Sequence, residues 1–160
     1  MKERLILVMT EKLFVQLSSH LFANRELETM AIAFFKISHS PSKTKLLVTQ
    51  LKVPTESNYI ERSAGLVSLG PDFMEECFQH CEDNQIHLLD IHTHPWSPRP
   101  GFSPIDDSQA KGVKIPYLSE FLPRTEIAFA LFGDRPEALR ARIWNRHEQA
   151  FQPVNMLFVI

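Results

Sequence analysis

Two histidines end an apolar run in this chain, and a pattern typical of a helix start follows them. Residues 86–92 predict a strand that continues into His92-Thr93-His94-Pro95. Side chains alternate along an extended segment, so both imidazoles point the same way and can reach one ion. Ser103-Pro104-Ile105-Asp106 then supplies a hydroxyl and a carboxylate at the start of a new element. Asp106 can therefore complete, from that element, a site that the histidines begin.

Two imidazoles and a carboxylate are a ligand set for a catalytic metal. Three nitrogen and oxygen ligands leave a fourth position for water, as in hydrolytic zinc centres, whereas structural zinc sites usually carry four ligands rich in cysteine. We therefore predict a zinc centre built from His92, His94 and Asp106. The same segment also fits a helix N-terminus, with Ser103 as the N-cap and an acid three residues later. Both interpretations hold together, because the first turn of a helix holds a ligand carboxylate rigidly.

Composition and charge favour an ordinary globular domain. A chain of 160 residues with 44% hydrophobic residues can bury one core, so residues 1–160 are predicted to form a single domain. A net charge of -2 without a Lys/Arg block argues against a nucleic-acid or membrane surface. The apolar run at residues 5–9 is too short for a secretory signal, and nothing reaches a membrane-spanning length. We expect a cytoplasmic protein.

Hydrophobic periodicity predicts alternating strands and helices. Thr10 is the predicted N-cap of the first helix, and the helix that starts at Ser103 must end or kink at Pro116. Short connections between the early strands favour antiparallel neighbours. The predicted strands span residues 5–9, 28–37, 45–53, about 60–69, 86–92, 126–132, 139–144 and 156–160, and the second helix spans 71–84.

The two cysteines lie four residues apart in the second predicted helix. Cys77 and Cys81 can be read as half of a metal site with His80 or His87. The favoured interpretation is a buried stripe of the helix, where a free cysteine behaves as a small hydrophobic residue.

The order of an acid, HxHP and SxxD resembles the JAMM motif of the MPN or JAB domain zinc metalloproteases, in particular the bacterial type. The resemblance implies that His92, His94 and Asp106 bind zinc, that Ser103 stabilises the reaction intermediate and that an upstream glutamate transfers protons. It also implies a cytidine-deaminase-like, three-layer α/β fold with a mixed, mostly antiparallel sheet flanked by helices. Eight residues separate His94 from Ser103, where many members of the family have seven.

The upstream acid is assigned from the apolar run that follows it. Glu28 precedes such a run, with Ala31 at the position where the family usually has glycine. Glu28 is therefore the predicted catalytic acid and base. Glu26 has the same side-chain parity on an extended segment and remains the alternative.

The resemblance implies hydrolysis of an amide after the C-terminus of a ubiquitin-like or sulfur-carrier-like protein, with a ubiquitin-activating-like enzyme as a further partner. One alternative is a non-catalytic MPN scaffold, although scaffolds generally lack the ligand set. Another is a metal-dependent hydrolase of a different substrate, since Asp90-Ile91-His92-Thr93-His94 resembles the DxHxH opening of barrel phosphoesterases and amidohydrolases. Only 66 residues follow His94 (160 minus 94), too few for a barrel of roughly 200 residues or more.

Overall fold

Strands and helices alternate along the chain in the computed structural model, which describes residues 3–160 and, at position 156, the backbone alone. A π-helical turn, Ala110–Lys114, lies between the third and fourth helices. The elements are β1 (Arg4–Met9), α1 (Glu11–Leu21), β2 (Met30–Ser40), β3 (Lys43–Lys52), β4 (Tyr59–Arg62), β5 (Val67–Leu69), α2 (Pro71–Asn84), β6 (His87–Thr93), α3 (Pro104–Gln109), α4 (Ile115–Phe121), β7 (Ile127–Phe132), β8 (Leu139–Asn145), β9 (Ala150–Val154) and β10 (Met156–Val159).

Eight strands form one mixed sheet in the order β10-β1-β3-β2-β6-β7-β8-β9. Four of its pairings are antiparallel and three are parallel. Only Asn155 separates β9 from β10, yet these strands pair at opposite ends of the order, so the sheet must curl. The Asn155 backbone N–H donates to the Leu5 carbonyl at 2.9 Å where the two ends meet. The prediction of an α/β protein with a mixed sheet flanked by helices is confirmed.

The two faces of the sheet carry separate hydrophobic clusters. Odd-numbered residues of β2 and β6, such as Ala33 and Ile91, pack with α1, whose Leu17 and Leu21 are fully buried. Burying a leucine side chain stabilises a fold by about 1.5–3 kcal/mol. Even-numbered residues of the same strands pack with α2 and α4 on the other face. His92, which has even parity, therefore belongs to the face covered by α2, α3 and α4.

Helix α1 begins as predicted at Thr10, whose side chain accepts a hydrogen bond from the Leu13 backbone N–H at 3.3 Å. Helix α2 spans the predicted residues and buries Cys77 and Cys81 completely. Both side chains pack in the hydrophobic cluster of that face, and burial raises the pKa of each thiol to about 12. The packing interpretation of both cysteines is thus confirmed.

Three segments differ from the sequence-based expectation. The single strand predicted at 60–69 is wrong, because the turn closed by the Ser63 N–H to Leu66 carbonyl bond (2.8 Å) divides it into the two-stranded β4–β5 hairpin. Strand β9 was not predicted, and it contains Pro153, which an edge strand tolerates. The helical segment does not end at Pro116, because α4 continues through this residue to Phe121. No helix within residues 3–160 has the length and apolar character needed to cross a membrane.

Candidate metal centre

The end of β6 carries both histidines and is tied to the segment that holds Glu28. His92 lies in β6, and the His94 backbone N–H donates to the Phe132 carbonyl at the end of β7 at 2.8 Å. Thr93, between them, is fully buried and accepts a hydrogen bond from the Thr29 N–H on its Oγ1 at 3.0 Å. The Thr93 N–H in turn donates to the Thr29 carbonyl at 3.1 Å. These bonds fix the histidine strand beside the acid-bearing segment.

Asp106 reaches the histidines from the first turn of α3. A capping box holds this turn, in which the Asp106 N–H donates to Ser103 Oγ at 3.1 Å and the Ser103 N–H donates to Asp106 Oδ2 at 2.6 Å. Ser103 is therefore a helix cap and a neighbour of the carboxylate at once. Capping rigidly orients the side chain that the sequence predicted as a ligand.

The three predicted ligands form one compact group. Their ligand atoms lie within 4.8 Å of one another, with His92 Nε2 3.0 Å from Asp106 Oδ1 and His94 Nε2 3.5 Å from Asp106 Oδ2. A tetrahedral zinc ion with bonds of about 2.0–2.1 Å separates its ligand atoms by roughly 3.3 Å. The observed spacing therefore fits a zinc-sized ion after small shifts.

His92 supplies a second indication of a missing partner. Its Nε2 is buried and, within residues 3–160, has no hydrogen-bond partner, since the short approach to Asp106 lacks hydrogen-bond alignment. A buried ring nitrogen left without a partner costs free energy, which a metal ion in this position would offset. The group can thus hold a metal ion.

The protonation states suit a metal site. Burial and the neighbouring His92 lower the pKa of His94, although Asp106 opposes this effect. The lowered pKa keeps the His94 imidazole neutral near pH 7. Burial alone would raise the pKa of Asp106, but His92, the Ser103 backbone N–H and His94 outweigh it and hold this pKa well below its usual value. A neutral imidazole and an ionised carboxylate are the forms that bind metals.

The structure brings Glu28, not Glu26, to the ligand group. Glu28 is 4% exposed, and its Oε1 lies 3.4 Å from His94 Nε2. Burial, together with Asp106 and against the opposing effect of His92, raises the pKa of Glu28 to about 7. Glu26 is exposed in the bend before this segment.

Two backbone contacts place Glu28. Its N–H donates to the Ser63 carbonyl at 3.0 Å, and its carbonyl accepts a bond from Arg62 Nε at 3.1 Å. Both partners belong to the β4–β5 hairpin region, so the hairpin positions the acid. Ala31, at the family's usual glycine position, is fully buried on the α1 face and therefore points away from the ligands.

A cleft of about 450 Å³, counting its space open to solvent, lies beside the ligands. Its charged wall contains Asp90, whose Oδ2 is 2.6 Å from Lys114 Nζ of the π-helical turn. Sequence reasoning missed Lys114 and Arg142 as members of this wall. The cleft is lined by Glu28, Met30, Gly65, Leu66, Val67, Asp90, His92, Phe102, Ile105, Asp106, Gln109, Lys114, Phe129 and Arg142.

The loop between the histidines and α3 contributes an exposed aromatic ring. Trp96 is 53% exposed and stacks on the His94 imidazole, with ring centroids 5.5 Å apart and planes 11° apart. Phe102 is half-buried 6.4 Å from the His92 ring. Trp96 thus covers one face of the His94 ring.

Comparison with known proteins identifies a fold relative. No family model matches the chain, and no curated protein matches it. The solution structure of protein DSY2949 from Desulfitobacterium hafniense superposes with a TM-score of 0.59 at 14% sequence identity, over 96% of this chain and 94% of that chain. At this identity the similarity shows a shared fold and nothing about activity.

Proposed function

We propose that residues 1–160 form a single JAMM-type zinc peptidase domain of the MPN/JAB class. The observation that carries the proposal is the buried group formed by three ligands and a separate acid. The ligands are His92, His94 and Asp106, and the acid is Glu28 beside His94. Structural zinc sites have no need of such an acid, whereas hydrolysis requires a proton carrier.

Zinc held by these ligands would supply a Lewis acid that brings the pKa of a water molecule to about 7 and polarises a carbonyl. Glu28 would take the proton released as water attacks the amide carbon, and would give it to the leaving nitrogen as the C–N bond breaks. A pKa near 7 suits both transfers, because the same group must accept and donate at neutral pH.

Ser103 is suited to stabilise the charge that develops on the carbonyl oxygen. Its Oγ accepts the Asp106 N–H with a lone pair, which leaves the hydroxyl hydrogen free to donate. A donor aimed at a developing oxyanion typically contributes about a hundredfold or more in rate.

The proposed substrate is the C-terminal tail of a ubiquitin-like or sulfur-carrier-like protein, joined to an amine by an amide or isopeptide bond. Glycines at such a tail carry no side chains and suit a narrow cleft. A ubiquitin-activating-like enzyme of the same pathway and a cytoplasmic location complete the proposal. The barrel-hydrolase alternative is disfavoured because Asp90, its first motif position, pairs with Lys114 and not with the ligand group.

The test is cleavage of a panel of ubiquitin-like and sulfur-carrier proteins with short C-terminal extensions or isopeptide-linked amines, read by intact mass. Zinc-loaded protein should cut after the C-terminal residue of at least one of them. Glu28→Gln should keep its metal and lose roughly 10²–10⁴-fold in rate, while Glu26→Gln, the matched control, should match the unmodified protein. Failure of zinc-loaded protein to cut any of them would favour a scaffold or another substrate. If Glu26→Gln loses activity and Glu28→Gln does not, Glu28 is not the base.

A further inference from the structure

A single arginine of β8 contacts the ligand-bearing segment on both sides of its capping box. Arg142 lines the cleft with 13% of its side chain exposed. Its Nη2 donates to Asp107 Oδ1 at 2.6 Å, and its guanidinium carbon lies 3.7 Å from the centre of the Phe102 ring. Phe102 precedes Ser103, and Asp107 follows Asp106. The two contacts therefore bracket the turn that presents the carboxylate ligand.

The guanidinium group is held between two aromatic rings. Phe151 of β9 lies on its other side, with the ring centre 3.6 Å from the guanidinium carbon. Cation–π contacts of this kind are strongest where water is excluded. The two rings and the Asp107 carboxylate together hold the guanidinium group in place. Arg142 thus connects the loop and α3 to the rigid sheet.

The surroundings of Arg142 do not satisfy all of its hydrogen-bond donors. Arg142 Nε is buried and, among the residues that the structure describes, has no hydrogen-bond partner. Leaving a buried donor unpaired costs free energy. The ion pair with Asp107, which is 44% exposed, adds little by itself because solvent screens it.

We propose that Arg142 is a positioning residue of the metal centre. By holding Phe102 and Asp107, it fixes the Asp106 carboxylate relative to the two histidines. The inference rests on the metal site of the proposed function, but not on the proposed substrate. Residues that orient metal ligands commonly change metal affinity by 10- to 100-fold when they are replaced.

The experiment measures the zinc dissociation constant of the purified protein, residues 1–160, by competition with a chromophoric chelator. Arg142→Leu should raise this constant roughly 10- to 100-fold. Arg142→Lys should give a smaller rise, because an ammonium keeps the charge but cannot stack flat between two rings. Arg140→Leu is the matched control, since Arg140 is exposed on the same strand, and it should stay within about twofold of the unmodified protein.

A second readout separates positioning from a general loss of stability. Thermal unfolding of the metal-free variants gives their stability, and zinc affinity is measured well below the transition. The visible absorption of bound Co²⁺ should also change in Arg142→Leu, because it reports ligand geometry. A folded Arg142→Leu variant with unchanged zinc affinity and Co²⁺ spectrum would overturn the inference. If the unmodified protein binds zinc but cuts none of the proposed substrates, the proposed substrate class is wrong and the role of Arg142 is unaffected. If it binds no zinc, both the proposed function and the role of Arg142 are wrong.

Discussion

Replacing Lys114 with methionine tests whether its ion pair with Asp90 holds the π-helical turn against β6. Asp90 is 2% exposed, and its Oδ2 lies 2.6 Å from Lys114 Nζ. Methionine keeps most of the apolar stem of lysine and removes the charge. The substitution therefore leaves a buried carboxylate without its cation, two residues from His92 on the same strand face.

The expected loss of unfolding free energy follows from the burial of the ion pair. Removing one partner of a buried ion pair costs about 3–5 kcal/mol, because the remaining charge stays desolvated. The Lys114 side chain is 23% exposed, so water reaches this end of the pair and the lower figure of about 3 kcal/mol applies. For a chain of this size that loss lowers Tm by about 6–12 °C.

The assay is chemical denaturation of metal-free protein, with chelator present so that metal binding does not contribute. Lys111→Met is the matched control, since Lys111 is exposed on the same π-helical turn. It should change stability by no more than about 1 kcal/mol, the value of its exposed cation–π contact with Phe151. The double variant Asp90→Asn with Lys114→Met should recover part of this loss, because no buried charge remains, while the buried amide still lacks a hydrogen-bond partner.

Two results would contradict this role of the ion pair. A Lys114→Met variant as stable as the unmodified protein would show that the pair does not hold the turn. A double variant as unstable as the single one would show that packing of the lysine stem, not the unpaired carboxylate, causes the loss.

Two further predictions concern Ser103 and His87. Ser103→Ala should lower kcat about 100- to 1,000-fold, and it should lower stability by about 1 kcal/mol because α3 loses its cap. Ser103→Thr keeps the hydroxyl and should retain most of the activity and stability. The measurements are kcat and the denaturation midpoint. Burial and the positive charge of Arg146 lower the pKa of His87 below 6.5 in the folded protein. The unfolded chain therefore takes up this proton more readily, and the stability present above pH 6.5 is lost as the pH falls through the lowered pKa. His87→Asn, which keeps an acceptor for the Glu126 N–H, should flatten that part of the denaturation profile of metal-free protein, and an unchanged profile would contradict this.

The ligand group could be predicted because its geometry is local. The spacing of His92 and His94 follows from strand alternation, and the capping box that holds Asp106 spans only four residues. Such patterns fix side-chain directions without reference to the rest of the chain. The same holds for the Thr10 cap and for the buried face of α2.

Long-range contacts decided what the sequence left open. Glu28 and Glu26 share one parity, and the choice depends on bonds from Thr93, Ser63 and the hairpin to the Glu28 segment, up to 64 residues away. Arg142 is 35 residues from Asp107, and no periodicity predicts that pair. The break within 60–69 had a local signal in Ser63 and Gly65, where the serine hydroxyl accepts two backbone N–H groups and competes with strand pairing.

The metal content and zinc affinity of the purified protein decide whether the ligand group is a metal centre. We expect about one zinc per chain, a large loss of affinity in His92→Ala with His94→Ala and in Asp106→Asn, and no change in His147→Ala, which replaces an exposed histidine. Zinc binding that survives the double histidine substitution, or protein that takes up no metal, would contradict this expectation.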